Sequence, residues 1–209
     1  KKLACFLGQY GIKRDDRVAV VSENRAEWII VFFAAVISGR VIVPIDANSG
    51  AEDIATIVSE SGARLLFLSE KLLSKAGSNL KKSGPALEEI ICFDDLESPD
   101  NSISFSSIME KEWEASLPGP GDISGGDTAS IIYTSGTTGF AKGVVLSHKG
   151  IIANANASIL SLPIYESDVF VGVLPFHHTY PTTCSIVSPL MVGGGIAIVD
   201  KLVGNVIIE

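Results

Sequence analysis

Short apolar runs alternate with stretches of helical periodicity through the first ninety residues of the chain. The apolar runs are four to six residues long, which is the length of buried strands, and they cover residues 18–21, 41–45, 64–68 and 89–93. Between them lie three helical patterns: one follows Asn24, the second follows Ser49, and the third extends over residues 71–80. Strand and helix repeated with short loops predict an α/β fold, layered, with a mostly parallel sheet flanked by helices.

Polar residues mark where the first helices should begin. Asn24 is followed three residues later by Glu27, and Ser49 by Glu52, which is the spacing of a capping box. Further along, the pattern predicts strands over residues 128–133, 143–147, 168–174 and 196–199. It also predicts one helix from Ser147 and another over 180–192.

Residues 94–127 interrupt this alternation, because they are rich in Ser, Pro, Gly and Asp. Apolar side chains at helical spacing within the segment predict one short helix that docks on the body: Phe105, Ile108, Met109 and Trp113. We interpret the segment as a connection between sheet regions rather than as an independent linker.

Composition limits the class of protein and its partners. The 209 residues are 46% apolar and 19% charged, which is typical of a globular domain. A net charge of −8 argues against nucleic acid as a partner, because such binding needs clustered Lys and Arg. The longest apolar run, 28–39, is too short to span a bilayer, so membrane association is not indicated. Three scattered cysteines predict reduced thiols, no zinc site and a cytoplasmic protein.

One glycine-rich segment, residues 133–143, carries the strongest chemical signal. Backbone N–H groups of a tight Gly/Ser/Thr turn can point inward and bind an anion. Hydroxyl donors accompany them, on Thr134, Ser135, Thr137 and Thr138. Lys142 adds a mobile positive charge after the turn. The residues favour phosphate binding over a plain polar turn, which the same residue types also form, but the spacing matches neither a Walker A loop nor a dinucleotide-binding fingerprint.

This segment, Tyr133-Thr134-Ser135-Gly136-Thr137-Thr138-Gly139-Phe140-Ala141-Lys142-Gly143, resembles the Y-T-S-G-T-T-G-x-P-K-G signature of the acyl-adenylate-forming enzymes. That family includes acyl-CoA synthetases, firefly luciferase and the adenylation domains of peptide synthetases. Ala141 replaces the usual proline, which affects the stiffness of the loop more than its chemistry. The resemblance extends to residues 16–39, to Val43-Pro44-Ile45-Asp46 and to Leu174-Pro175-Phe176-His177-His178-Thr179-Tyr180.

The resemblance implies that residues 1–209 are part of a large N-terminal adenylation domain, with the C-terminal domain absent. Its portions would be a first α/β part (1–93), the connection (94–127) and a part with the phosphate loop and acyl pocket (128–209). The expected ATP-binding residues are Thr134, Ser135, Gly136, Thr137, Thr138, Gly139 and Lys142. Lys142 would be catalytic, and Thr134 would help to ligate Mg²⁺.

The implied reaction converts a carboxylic acid and ATP to acyl-AMP, and a thiol of CoA or of the phosphopantetheine arm of an acyl carrier protein then displaces AMP. By the same resemblance His178 and Tyr180 line the acyl pocket, whereas His177 and His148 are assigned structural roles. The His-Thr-Tyr sequence favours a fatty acid. Two alternatives stay open: an amino-acid adenylation domain and a nucleotide-binding module without turnover. Other family residues needed for turnover map beyond residue 209, so the 209 residues alone are expected to be inactive.

Overall fold

The computed structural model describes residues 1–80, 84–95, 102–114, 117–119, 121–134 and 142–199, with the backbone only for 77–79. Most of its strands form one seven-stranded sheet in the order β5-β4-β3-β1-β2-β6-β7. All neighbours are parallel except β6 and β7. The strands are β1 (Arg17–Val21), β2 (Val41–Ile45), β3 (Ala63–Leu68), β4 (Glu89–Cys92), β5 (Ile103–Ser104), β6 (Thr128–Thr134) and β7 (Lys142–Ser147). The predicted mostly parallel sheet is confirmed.

The three central strands are apolar on both faces because helices cover both sides of the sheet. Alternate residues of β1 enter different cores: Val18 and Val20 face one, Ala19 and Val21 the other. In the sheet, β2 and β3 lie on opposite sides of β1. The chain goes from β1 to β2 on one side and then crosses back past β1 to reach β3, so these two connections run in opposite directions across the sheet. Crossovers between parallel strands are right-handed, so two connections that run in opposite directions place their helices on opposite faces of the sheet.

The helices are distributed accordingly. The first core contains side chains of α1 (Lys2–Gln9), α2 (Ala26–Val36) and α5 (Phe105–Glu110). The second core contains side chains of α3 (Ala51–Ser61) and α4 (Glu70–Leu80).

Two predicted helix starts are wrong by one residue. The residue before α3 is Gly50 rather than Ser49, and its N–H donates to Asp53 Oδ2 at 3.3 Å. The residue before α2 is Arg25 rather than Asn24. The predicted helix start near Ser147 is confirmed by α6 (His148–Ser161). Ser147 also caps that helix, because its Oγ accepts a hydrogen bond from Gly150 N at 3.1 Å.

The connecting segment contributes structure to the body, as predicted, and also one strand that was not predicted. Phe105 and Ile108 of α5 are buried, and Trp113, just beyond the helix, packs edge-on against Phe6 with ring centroids 5.0 Å apart. The short strand β5 pairs with β4 at the sheet edge. It has only two residues, which is too few to show a strand pattern in the sequence.

A second, two-stranded parallel sheet is formed by β8 (Val169–Gly172) and β9 (Gly195–Ile198). Between these strands the chain is helical from residue 179 to 191, as α7 (Thr179–Pro181), a π-helical turn (Thr182–Val187) and α8 (Ser188–Met191). None of the helices within the described ranges has the length and apolarity needed to cross a bilayer.

Candidate active site

One of the predicted site residues, Thr134, lies where three neighbouring strands end. Strands β1, β2 and β6 are adjacent and parallel, so their carboxyl ends lie at one edge of the sheet. Asn24 and Asp46 follow β1 and β2, and Thr134 is the last residue of β6. Loops beyond the carboxyl ends of parallel strands form the ligand-binding crevice of many α/β folds.

Thr134 and Lys142 face each other at the end of the β6–β7 hairpin. They form the last register pair of the antiparallel ladder, and both are exposed. Residues opposite each other in such a ladder have Cα atoms about 5 Å apart. A hydroxyl and an ammonium group therefore flank the two ends of segment 135–141. The predicted phosphate-binding residues inside that segment, Ser135, Gly136, Thr137, Thr138 and Gly139, lie outside the described residues, and their roles stay predictions.

The donor set at the hairpin fits the expected ligands. The Lys142 ammonium group is a point charge suited to a polyphosphate. Thr134 offers a single oxygen, which agrees with the way Mg²⁺ takes few protein ligands and fills its other positions with water and phosphate oxygens. Among the described residues no cluster of three or more His, Cys, Asp or Glu side chains could hold a metal by itself.

Asn24, predicted as a helix cap, instead holds the loop that carries the two histidines. Its Nδ2 donates to Gly172 O at 3.0 Å and Leu174 O at 2.9 Å. Its Oδ1 accepts from Phe176 N at 3.0 Å. The helix-cap prediction is wrong because the side chain is engaged across the structure, and Arg25, with no capping side-chain hydrogen bond, precedes α2 instead.

His178 and Tyr180 lie at the start of the helical segment 179–191 and are exposed; Tyr180 keeps 66% of its surface accessible. The backbone at His178 is fixed, since Thr182 N donates to His178 O at 3.2 Å. Both side chains are therefore free to meet a ligand, although their role as acyl-pocket residues stays a prediction.

The π-helical turn borders a cavity beneath this helical segment. It is partly open and small, with about 10 Å³ accessible to the centre of a water molecule, and it lies between the helix and strands β2, β6 and β7. Thr179, Thr182 and Thr183 face it from the helix, and His178 and Tyr180 are not among its lining residues. The buried Ser130 Oγ also lines it and has no hydrogen-bond partner among the described residues. The sequence patterns predicted neither the π-helical turn nor this small cavity.

His177, assigned a structural role from sequence, connects the loop to the sheet edge. Its side chain is 11% exposed, and Nε2 lies 3.8 Å from Asp46 Oδ2, which is too long for a hydrogen bond. The His177 ring packs on the His178 ring with centroids 4.0 Å apart. Burial lowers the pKa of His177 to about 4, opposed by the Asp46 carboxylate and assisted by His178. The imidazole of His177 is therefore neutral at pH 7 and supports the ring of His178.

We expect the His177 resonance in long-range ¹H–¹⁵N NMR spectra to stay in its neutral form down to about pH 4. H177Q would identify that resonance, which is needed because burial also lowers the pKa of His148. D46N should lower the His177 pKa further, since the carboxylate that favours the charged ring is gone.

The unfolded chain protonates His177 near pH 6.5, so the free energy of unfolding should fall as the pH drops from 6.5 towards 4. Titration of His177 above pH 6 would contradict its burial.

The chain matches the AMP-binding enzyme family over residues 1–204. It is 30% identical to fatty acyl-CoA synthetase B of Dictyostelium discoideum, with 97% of this chain and 31% of that protein covered. It is 27% identical to 4-coumarate–CoA ligase 3 of Arabidopsis thaliana, with 96% and 36% covered.

Among solved structures, the fold matches ATP-bound MatB from Rhodopseudomonas palustris. The TM-score is 0.82 at 24% identity, and the match covers 99% of this chain and 39% of that one. The chain thus spans about a third of the length of the curated relatives it matches. The family match covers residues 1–204, which is nearly the whole chain of 209 residues. The chain therefore belongs to the AMP-binding enzyme family.

Proposed function

We propose that the full-length protein uses ATP to activate a carboxylic acid as acyl-AMP and then transfers the acyl group to a thiol. The observation that carries this proposal is the pairing of Thr134 with Lys142 at the ends of the phosphate-loop segment, on the sheet edge that also holds His177 and His178. The family match and the relatives named as CoA ligases support it.

In the proposed reaction a carboxylate oxygen attacks the α-phosphorus of ATP, and the bond from that phosphorus to the pyrophosphate oxygen breaks. Catalysis of this kind depends on positioning and on neutralising charge. Lys142 would stabilise the charge that grows on the leaving pyrophosphate. Thr134 would hold Mg²⁺, which supplies further neutralisation when bound. A thiolate from CoA or from a phosphopantetheine-carrying protein then attacks the acyl carbon, and AMP leaves.

For the acid, we propose a fatty acid. The likeness to a fatty acyl-CoA synthetase and the His178-Thr179-Tyr180 sequence support this choice. The exposed side chains of His178 and Tyr180 would contact the acid once the rest of the site is assembled. The 4-coumarate ligase at 27% identity indicates that aromatic acids belong in the same test.

We also propose that all three portions of the chain (1–93, 94–127 and 128–209) belong to one large adenylation domain. The seven-stranded sheet supports this, since β1–β4, β5 and β6–β7 come from the three portions in turn. The 209 residues alone would not form acyl-AMP, because they span about a third of the relatives' length.

The test is an ATP–pyrophosphate exchange assay on the full-length protein with a panel of fatty, aromatic and amino acids. We expect exchange that depends on the carboxylic acid, with the highest kcat/KM for a fatty acid, and no exchange by the 209-residue chain. Addition of CoA or of a phosphopantetheine-carrying protein should then release AMP. Exchange supported only by amino acids would favour a peptide-synthetase type of domain, and no exchange with any acid would contradict the proposal.

A further inference from the structure

Asn24 joins the main sheet to the loop that carries the histidines, over a sequence separation of about 150 residues. An asparagine amide has two N–H donors and a carbonyl acceptor. Here all three parts are used, on the carbonyls of Gly172 and Leu174 and on the N–H of Phe176. One side chain from beyond the end of β1 therefore bonds three backbone groups of the loop from 172 to 176, and its Nδ2 also lies 3.5 Å from Val199 O.

No other common side chain of this length could make the same set. Aspartate would keep the acceptor for Phe176 N but lose both donors, and two carbonyl oxygens would then face a carboxylate. Alanine would leave all three backbone groups without this partner. Gly172 O would keep its bond from Val199 N, and Leu174 O can bond to water because that site is exposed. The part-buried N–H of Phe176 would lose its acceptor, which is costly, so the loop would shift at this residue.

The loop has a second anchor in the Phe176 side chain. Phe176 is 1% exposed and packs on Trp28 of α2, with ring centroids 5.6 Å apart. Asn24 holds the backbone of the same residue, and His177 and His178 follow directly. Because the rings of His177 and His178 are in contact, a shift of the loop would displace both imidazoles.

Helix capping does not account for these bonds. Arg25, and not Asn24, is the residue that precedes α2, and its backbone is extended, with φ at −158°. The side chain of Asn24 is directed at the histidine loop rather than at the first turn of the helix. Loss of the Asn24 amide should therefore loosen the loop and leave α2 intact.

We propose that Asn24 is a positioning residue for the acid-binding loop, acting through the backbone of Phe176 on His177 and His178. The part of this inference that concerns substrate rests on the proposed function. The positioning itself concerns the loop alone and is measurable without turnover.

The experiment compares full-length wild type, N24A, N24D and a matched control, N156A, which removes an exposed asparagine of α6. Hydrogen–deuterium exchange is followed in peptides that cover α2 and residues 173–178. In N24A we expect exchange in 173–178 to be about tenfold faster, with α2 unchanged, and in N24D an intermediate rate, because one of the three bonds remains. N156A should match wild type.

Kinetics of ATP–pyrophosphate exchange provide the second readout. We expect the KM for the acid to rise about tenfold in N24A while the KM for ATP stays within twofold, since misplacement affects the acid end of the site. If wild type fails to exchange with any acid, the proposed function fails, and the deuterium-exchange comparison still decides the positioning.

Equal protection of 173–178 in wild type and both variants would overturn the inference. So would faster exchange confined to α2, because Asn24 would then be holding the helix. If N24A does not fold, N24D decides: faster exchange in 173–178 than in wild type supports the positioning role, and unchanged exchange overturns it.

Discussion

Replacing Lys142 with alanine in the full-length protein should slow acid-dependent ATP–pyrophosphate exchange about 100-fold. Removal of one preorganised group that stabilises developing charge typically lowers kcat by two to three orders of magnitude. The lower end of that range applies, because Lys142 is exposed and water partly screens its charge. The KM for the acid should change little, since the proposed role of the lysine is at the pyrophosphate end of ATP.

The register of the hairpin is the reason for expecting a large effect at this lysine. Lys142 pairs with Thr134 at the last position of the ladder, so its backbone is fixed by the sheet while its side chain remains free to reach a ligand. The next three residues, Gly143, Val144 and Val145, are exposed as well, so this end of β7 is held by its ladder with β6 rather than by side-chain packing.

Two variants make the Lys142 test specific. K142R keeps a positive charge and should recover part of the rate. K149A removes an exposed lysine beyond the other end of β7, about 20 Å away by strand geometry, and should leave the rate unchanged. Exchange within twofold of wild type in K142A would show that this lysine does not act on the nucleotide.

The sequence predicts the central part of the fold well because burial on both faces gives a continuous apolar run. Strand β2 has the predicted bounds, and β1 and β3 each begin one residue earlier than predicted. Strands outside the centre of the main sheet show a weaker hydrophobic pattern in the sequence. Strand β8 is shorter than the predicted 168–174, because the backbone of Leu174 turns away to bond with Asn24.

The site was predicted less completely, because its contacts join residues that are distant in sequence. The hairpin with Thr134 and Lys142 was expected from a local motif. The contacts of Asn24 and His177 were not, since each depends on where another element passes: the loop after β8 for Asn24, and Asp46 after β2 for His177. From the sequence, Asn24 fitted a local capping pattern. In the structure its side chain bonds three distant backbone groups instead.

Replacing Trp28 with alanine should be among the most damaging changes to the stability of this domain. Trp28 is 1% exposed, stacks on Phe32 with ring centroids 5.7 Å apart, and packs on Phe176. Truncation of a buried tryptophan to alanine costs about 3–5 kcal/mol through lost burial and the cavity left behind. For a domain of this size that corresponds to a fall of roughly 10 °C in Tm.

The matched comparison for Trp28 is W113A, which removes a tryptophan that is only partly buried. Thermal unfolding of the full-length protein should show a clearly smaller fall in Tm for W113A. W28F should recover part of the loss, because a phenyl ring fills much of the space. A fall in Tm for W28A no larger than that for W113A would contradict the packing described.

Trp28 also connects stability to function, because Phe176 lies directly before the histidine pair. Removal of the indole takes away the surface on which Phe176 rests, while the Asn24 hydrogen bond to the Phe176 N–H remains. W28A should therefore raise the KM for the acid by less than N24A does, even though its effect on Tm is larger. W113A lies away from the loop and should not change that KM. The opposite order for W28A and N24A would mean that the aromatic contact, and not the amide of Asn24, fixes the position of the histidines.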